Sequence, residues 1–191
     1  MLPRFLSLIV LLCFSSSLIA QTESRDRYLI YGGYSLLSNS FNGVPGARQM
    51  LNGWDASVAF QSWHNLRFKF ESSGYNGSNL GAQQHALFLM GGGQYSLQLG
   101  KEAVFAEVLA GEAGLNRYWG PNQVAGEVAS FSSILGGGVD TPLTRHLAFR
   151  VAGDYLWENF ALQQNVTLIP YRPAGLPNNF ARISSGLVWR F

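Results

Sequence analysis

The chain has 191 residues, 13 Lys+Arg against 11 Asp+Glu, and only 13% charged residues, where soluble domains average about a quarter. A formal charge of +2 without a basic cluster supplies no footprint for nucleic acid, which needs several cations on one face, and the length points to one domain. Beyond the first twenty residues no apolar run approaches the roughly 18 that a membrane-spanning helix requires.

In residues 1–20, Arg4 precedes an apolar stretch from Phe5 to about Phe14, then a Ser-rich patch and Ala20. This order predicts a secretory signal peptide cleaved after Ala20, leaving 21–191 as the mature domain. Cys13 lies in that segment behind Leu11 and Leu12, which are larger than a lipoprotein signal uses, so the mature chain offers neither a disulfide nor a thiol nucleophile.

Past residue 27 the dominant pattern is period-two alternation, which sends successive side chains to opposite faces of a strand. Strands are expected near 28–37, 52–62, 65–73, 85–96, 103–113, 128–140, 146–158 and 180–191. In the third, Leu66, Phe68 and Phe70 oppose Arg67, Lys69 and Glu71; in the seventh, Leu147, Phe149, Val151, Tyr155 and Trp157 oppose Arg150, Asp154 and Glu158. The eighth sets Ile183, Leu187, Trp189 and Phe191 against Arg182, Ser184 and Arg190. The fourth and fifth leave their orientation open: Leu87, Phe88, Leu89 and Met90 run consecutively, and Glu107 and Glu112 fall on opposite faces.

Proline, which cannot donate to a ladder, falls outside all eight expected strands, with Pro142 in a short turn. The connections alternate long and short, so the long ones gather at one rim, as in an up-and-down outer-membrane barrel. A lipocalin-like soluble barrel is the competing arrangement. Three features favour lipid outside and charge inside: a charge-poor composition whose charges sit mid-strand, the aromatics Trp54, Tyr95, Tyr155, Trp157 and Trp189 towards strand ends on the apolar side, and Phe191 with Trp189, Leu187 and Ile183 in register behind it. The expected fold is thus all-β, an eight-stranded antiparallel transmembrane barrel.

Four segments carry a family resemblance: Tyr31-Gly32-Gly33-Tyr34-Ser35, Leu135 to Asp140, Arg150 with Asp154-Tyr155, and the closing Arg182 to Phe191. The mature chain resembles the small bacterial outer-membrane barrels related to the OmpA transmembrane domain and OmpX. That resemblance implies a Gram-negative outer-membrane location and contact with lipid and lipopolysaccharide. It also implies that Trp189 and Phe191 are an assembly signal, read by the barrel-assembly machinery with periplasmic chaperones. No peptidoglycan-binding domain follows the barrel, so a wall-tethering role is not implied.

By parity the lumen holds Asp55, Arg67, Lys69, Glu71, Asp140, Arg150, Asp154, Glu158, Arg182 and Arg190. This set is either a narrow ion pathway or a plug of mutually paired charges, and the plug is favoured because eight strands enclose barely enough room for side chains. The runs Gly91 to Gly93 and Gly136 to Gly138 lack the following helix of a phosphate cradle and are read as room for bulky neighbours.

His64, His85 and His146 are divided between the two rims, which excludes a three-His metal site. His85, with Ser78 or Ser130 and Glu112 or Glu127, is the one arrangement open to acyl-transfer chemistry on lipid A, though without a family motif. The expectation is therefore no enzyme and no cofactor. Recognition is assigned to loops 38–51, 74–84, 114–127 and 159–179, with Phe41, Met50, Tyr75, Tyr118, Trp119, Val166, Ile169 and Tyr171 as exposed candidates. A monomer with a structural or adhesive role is expected.

Overall fold

A computed structural model describes residues 26–39, 49–79, 82–119, 124–158 and 178–191. Eight strands follow one another: β1 (Tyr28–Asn39), β2 (Gln49–Trp63), β3 (Leu66–Asn79), β4 (Ala82–Leu99), β5 (Glu102–Trp119), β6 (Val124–Pro142), β7 (Leu147–Glu158) and β8 (Asn178–Arg190). Each pairs antiparallel with the next and β8 pairs with β1, so the sheet closes on itself. The last residue takes part in the closure: Phe191 N donates to Tyr28 O (3.0 Å), and Arg27 N donates to Phe191 O (2.7 Å).

The stagger of the barrel can be followed residue by residue. A path across the ladders leaves β1 at Tyr28 and passes through Phe60, Phe68, Gly93, Val108, Leu135, Tyr155 and Ala181 before it meets β1 again at Ser38. An offset of ten residues around eight strands corresponds to a strand tilt of about 40°. Most of this path lies on the outside, where Tyr28, Phe68, Val108, Leu135 and Tyr155 are exposed. The fold is therefore a transmembrane β-barrel with an apolar exterior and an inward-facing ionic set.

Alternation resolves the two strands whose sequence was ambiguous. In β4, Phe88 and Met90 are buried while Leu87 and Leu89 are exposed; in β5, Glu107 is buried and Glu112 is exposed beside Leu89 and Phe131. Aromatic pairs band the exterior at both ends. Trp189 stacks with Phe191 and Phe60 with Phe68 towards the short-turn end, and Tyr155 meets Trp157 edge-on (4.6 Å) towards the other.

The strands are longer than expected, and the difference lies mainly at the rim opposite the short turns. Three turns are tight, at 64–65, 100–101 and 143–146. At the other rim, β3 and β4 stay paired as far as Asn79 and Ala82, and β5 and β6 to Tyr118 and Val124. The expected loops 74–84 and 114–127 are thus largely paired strand. Ladder hydrogen bonds persist there, but Gly, Ser, Asn and Gln interrupt the sequence, so the apolar alternation that marks a strand fades. Met50, expected in a loop, is in β2. Pro142 also lies within β6, but as its last residue, opposite Ala148, where a missing donor is tolerated. Residues 1–25, with the expected signal, and most of the expected loops 38–51 and 159–179 lie outside the described residues.

A cation on the outer face should be costly at mid-barrel height. Val108→Arg is expected to destabilise the barrel by about 2–4 kcal/mol, read from denaturant unfolding in lipid vesicles. Unchanged stability would mean that this face does not meet hydrocarbon.

Candidate functional site

The inward side chains form three layers. At mid-height, Arg182 of β8 reaches across the lumen to carboxylates on three other strands. Its Nε donates to Asp154 Oδ2 on neighbouring β7 (2.6 Å), and its Nη1 donates to Glu71 Oε1 on β3 and lies 4.0 Å from Asp55 Oδ2 on β2. Glu71 is shared with Lys69, whose Nζ also donates to both oxygens of Glu107 on β5 (2.9 and 3.0 Å). The Arg182 side chain is 1% exposed and that of Glu71 is fully buried, so each charge depends on its partners instead of on water.

Small residues make room for these groups. A Cβ on Gly136 would strike the Asp154 carboxylate, and one on Gly53 would enter the Tyr75 ring. Gly92 pairs with Lys69 on one side and Leu109 on the other, and a Cβ there would strike the β5 backbone at Val108 and Leu109.

Towards the short turns, Arg150 pairs with its cross-strand neighbour Asp140 through two bonds, Nε to Oδ1 (2.6 Å) and Nη2 to Oδ2 (2.9 Å). Its guanidinium lies 4.2 Å from the centre of the Phe105 ring and 5.3 Å from that of Tyr31, a placement in which the aromatic faces add attraction. Arg190 lies 3.7 Å from Asp140. Asp140 and Arg190, with Arg67 and Asp26, line a mouth of about 20 Å³, room for about one water. Leu29, Ala59, Ala148 and Val188 form a small apolar cluster at this end.

Above Arg182 the lumen is mainly apolar, with the small hydroxyls of Ser35, Ser130 and Ser132 also buried there. Leu37, Leu51, Tyr75, Phe88, Met90, Leu109, Ile134, Leu156 and Phe180 form one buried cluster. Tyr75, expected as an exposed loop residue, is 1% exposed: its ring meets Phe88 edge-on and its hydroxyl bonds Ser35 Oγ (2.9 Å). The reason is parity, since Tyr75 continues the inward series Arg67, Lys69, Glu71, Ser73 of β3. The ionic layer is consequently roofed by hydrocarbon.

Of the ten residues placed inside by sequence parity, Asp55, Arg67, Lys69, Glu71, Asp140, Arg150, Asp154 and Arg182 are buried, and Arg190 lies at the mouth. The Glu158 side chain is outside those described. Glu107, Gln94 and the aromatic partners of Arg150 were missed. The one available signal was the buried-strand parity of β5, obscured because its inward face carries Phe105 and Leu109 beside Glu107.

The possible acyl-transfer group does not assemble around Ser130. His85 is exposed on the exterior beside Asn76, to which its ring nitrogen bonds, while Ser130 is buried on the inward face. Glu112 is exposed but pairs in the ladder with Leu89, four residues down β4 from His85. The side chains of Ser78, Glu127, Tyr118 and Trp119 lie outside those described. Trp189 and Phe191 are both exposed on the outer face.

No protein-family model matches the sequence, and no curated protein matches it. Among solved structures, the chain is similar to Neisserial surface protein A, with a TM-score of 0.64 and 10% identity over 86% of this chain and 97% of that one. It is similar also to Ail, the attachment invasion locus protein of Yersinia pestis, with a TM-score of 0.55 and 10% identity over 88% and 100%. A de novo designed transmembrane β-barrel aligns with a TM-score of 0.50 and 13% identity over 89% and 100%. What these proteins share with this chain is the fold.

Two substitutions separate the bridging carboxylate from the crowded one. Glu71→Gln removes the negative charge shared by Lys69 and Arg182 and sets an amide NH2 against one of the two cations, which is expected to cost about 3–5 kcal/mol. Asp55→Asn should cost less than about 1 kcal/mol, because Asp55 is the most distant of three carboxylates around Arg182 and its Oδ1 has no hydrogen-bond partner. Denaturant midpoints of the two variants in vesicles give the order; equal losses would contradict it.

Proposed function

We propose that the chain is a monomeric integral protein of the bacterial outer membrane, in which a closed barrel supports the long hairpins that serve envelope integrity or adhesion. The carrying observation is the filled lumen: a paired ionic layer beneath an apolar layer. Such an interior favours a rigid support over an ion pathway, since an ion would have to cross hydrocarbon after displacing buried pairs.

The β3–β4 and β5–β6 hairpins supply the presenting surface. A strand crosses the hydrocarbon with about 9–11 residues, whereas β4, β5 and β6 have 18, 18 and 19. The surplus stands at the rim away from the short turns, where paired strands hold a recognition surface in fixed geometry, as a scaffold holds a binding loop. Lipopolysaccharide, a partner protein or host material would meet this surface. Export through the N-terminal segment and reading of Trp189 and Phe191 by the assembly machinery belong to the same proposal. A lipid A-modifying enzyme has less support, because His85 and Ser130 face opposite sides of the wall.

The test is to replace the β3–β4 tip at 78–83 with a two-residue turn in cells that otherwise lack the protein. The shortened barrel should still assemble and restore detergent resistance, while adherence of the cells to an immobilised host matrix should fall to the level of cells without the protein. Undiminished adherence would remove the presenting role from this hairpin.

A further inference from the structure

At the short-turn end the outer wall carries a recess of about 540 Å³ that the barrel interior does not use. It is lined by the aromatic Tyr28, Phe60 and Trp63 together with the polar Arg27, Gln61, Ser62 and His64. Its shape comes from an irregularity in the ladder. The register of β2 against β3 shifts between Gln61 and Trp63, and Ser62 and Trp63, although consecutive, are both exposed. Such a bulge re-aims side chains at a sheet margin.

The surrounding backbone is pinned. Gln61 N donates to Arg27 O (2.9 Å), and Gln61 Nε2 donates to His64 O (2.6 Å), holding a residue with a positive φ of 46°. Those bonds set Arg27 and His64 on the same recess, beside a tryptophan that is 71% exposed.

Arg27 carries the one fixed charge among the side chains that line the recess. Neither Asp nor Glu lines it, and the nearest acidic neighbour in sequence, Asp26, lines the lumen mouth with Arg67 and Arg190 instead. A guanidinium, an imidazole and a hydroxyl therefore face outward at the height where exposed tyrosine and tryptophan mark the boundary between hydrocarbon and headgroups. Arginine suits phosphate because its fork offers parallel donors, and the aromatic rings suit the glycerol and first methylenes beneath a phosphate.

We infer that this recess binds the headgroup of an anionic glycerophospholipid, with Arg27 and His64 donating to the phosphodiester and Tyr28 and Trp63 flanking the glycerol. The inference rests on the proposed membrane embedding and extends it from lipid as solvent to lipid as ligand. The hydroxyl of Ser62 adds a neutral donor beside the phosphate.

Native mass spectrometry of the folded barrel, released from nanodiscs of equal phosphatidylglycerol and phosphatidylcholine, tests it. The unaltered chain should retain phosphatidylglycerol about five-fold over phosphatidylcholine, the ratio expected from one interfacial cation. Arg27→Gln should bring the ratio close to one, and Arg27→Lys should keep most of it. His64→Asn, which tolerates the positive φ, should lower it in part. Arg145→Gln, at the 143–146 turn and outside the recess, should leave it unchanged.

Equal ratios for Arg27→Gln and the unaltered chain would overturn the assignment, as would an equal loss from Arg145→Gln, which would mark a diffuse rim charge. Displacement of the lipid by millimolar inorganic phosphate would also overturn it in favour of a free-anion site. A chain that failed to insert into the bilayer would count against the membrane reading, whereas insertion without lipid preference counts against this inference alone.

Discussion

The interior is organised around one guanidinium. Arg182 is held by Asp154, its neighbour across the β7–β8 ladder, and by Glu71 on the far side of the lumen. An arginine in so small a barrel has no water to retreat to, so its position is fixed by carboxylates that must come from other strands. Those carboxylates in turn need the cation and one another's spacing, and Lys69 extends the chain to Glu107. Loss of Glu71, the carboxylate that both cations share, therefore leaves buried charge facing its former partner's place.

The layers above and below give this network its surroundings. Hydrocarbon from Leu37 to Phe180 roofs it, and Arg150 with Asp140 separates it from the mouth at the short-turn end. Low polarity on the roof strengthens each ion pair and raises the penalty for breaking one. Glycines such as Gly136 are part of the same design, because the space a side chain would fill is taken by the Asp154 carboxylate.

Much of the architecture was legible in the sequence, and the places where it was not have a common physical cause. Strands β3, β7 and β8 alternate apolar with charged residues because their inward faces belong largely to the ionic layer, so Arg67, Lys69, Glu71, Arg150, Asp154 and Arg182 could be placed from parity alone. Strands β4 and β5 send Phe88, Met90 and Leu109 to the roof; with apolar groups on both faces the alternation collapses, and Glu107 went unrecognised. Tyr75 was misplaced for a related reason: Gly74, Asn76 and Gly77 around it resemble a loop, but the ladder continues through them. Pairing between Arg182 and Glu71, 111 residues apart, depends on barrel closure and has no local signature.

The central claim is that the lumen is closed by paired charge beneath a hydrocarbon roof. Single-channel recording of the folded barrel in a planar bilayer addresses it most directly. The expected trace is silent at applied potentials that leave the bilayer intact. A steady, reproducible conductance step from the unaltered chain would contradict the account and return the interior charges to the role of an ion pathway.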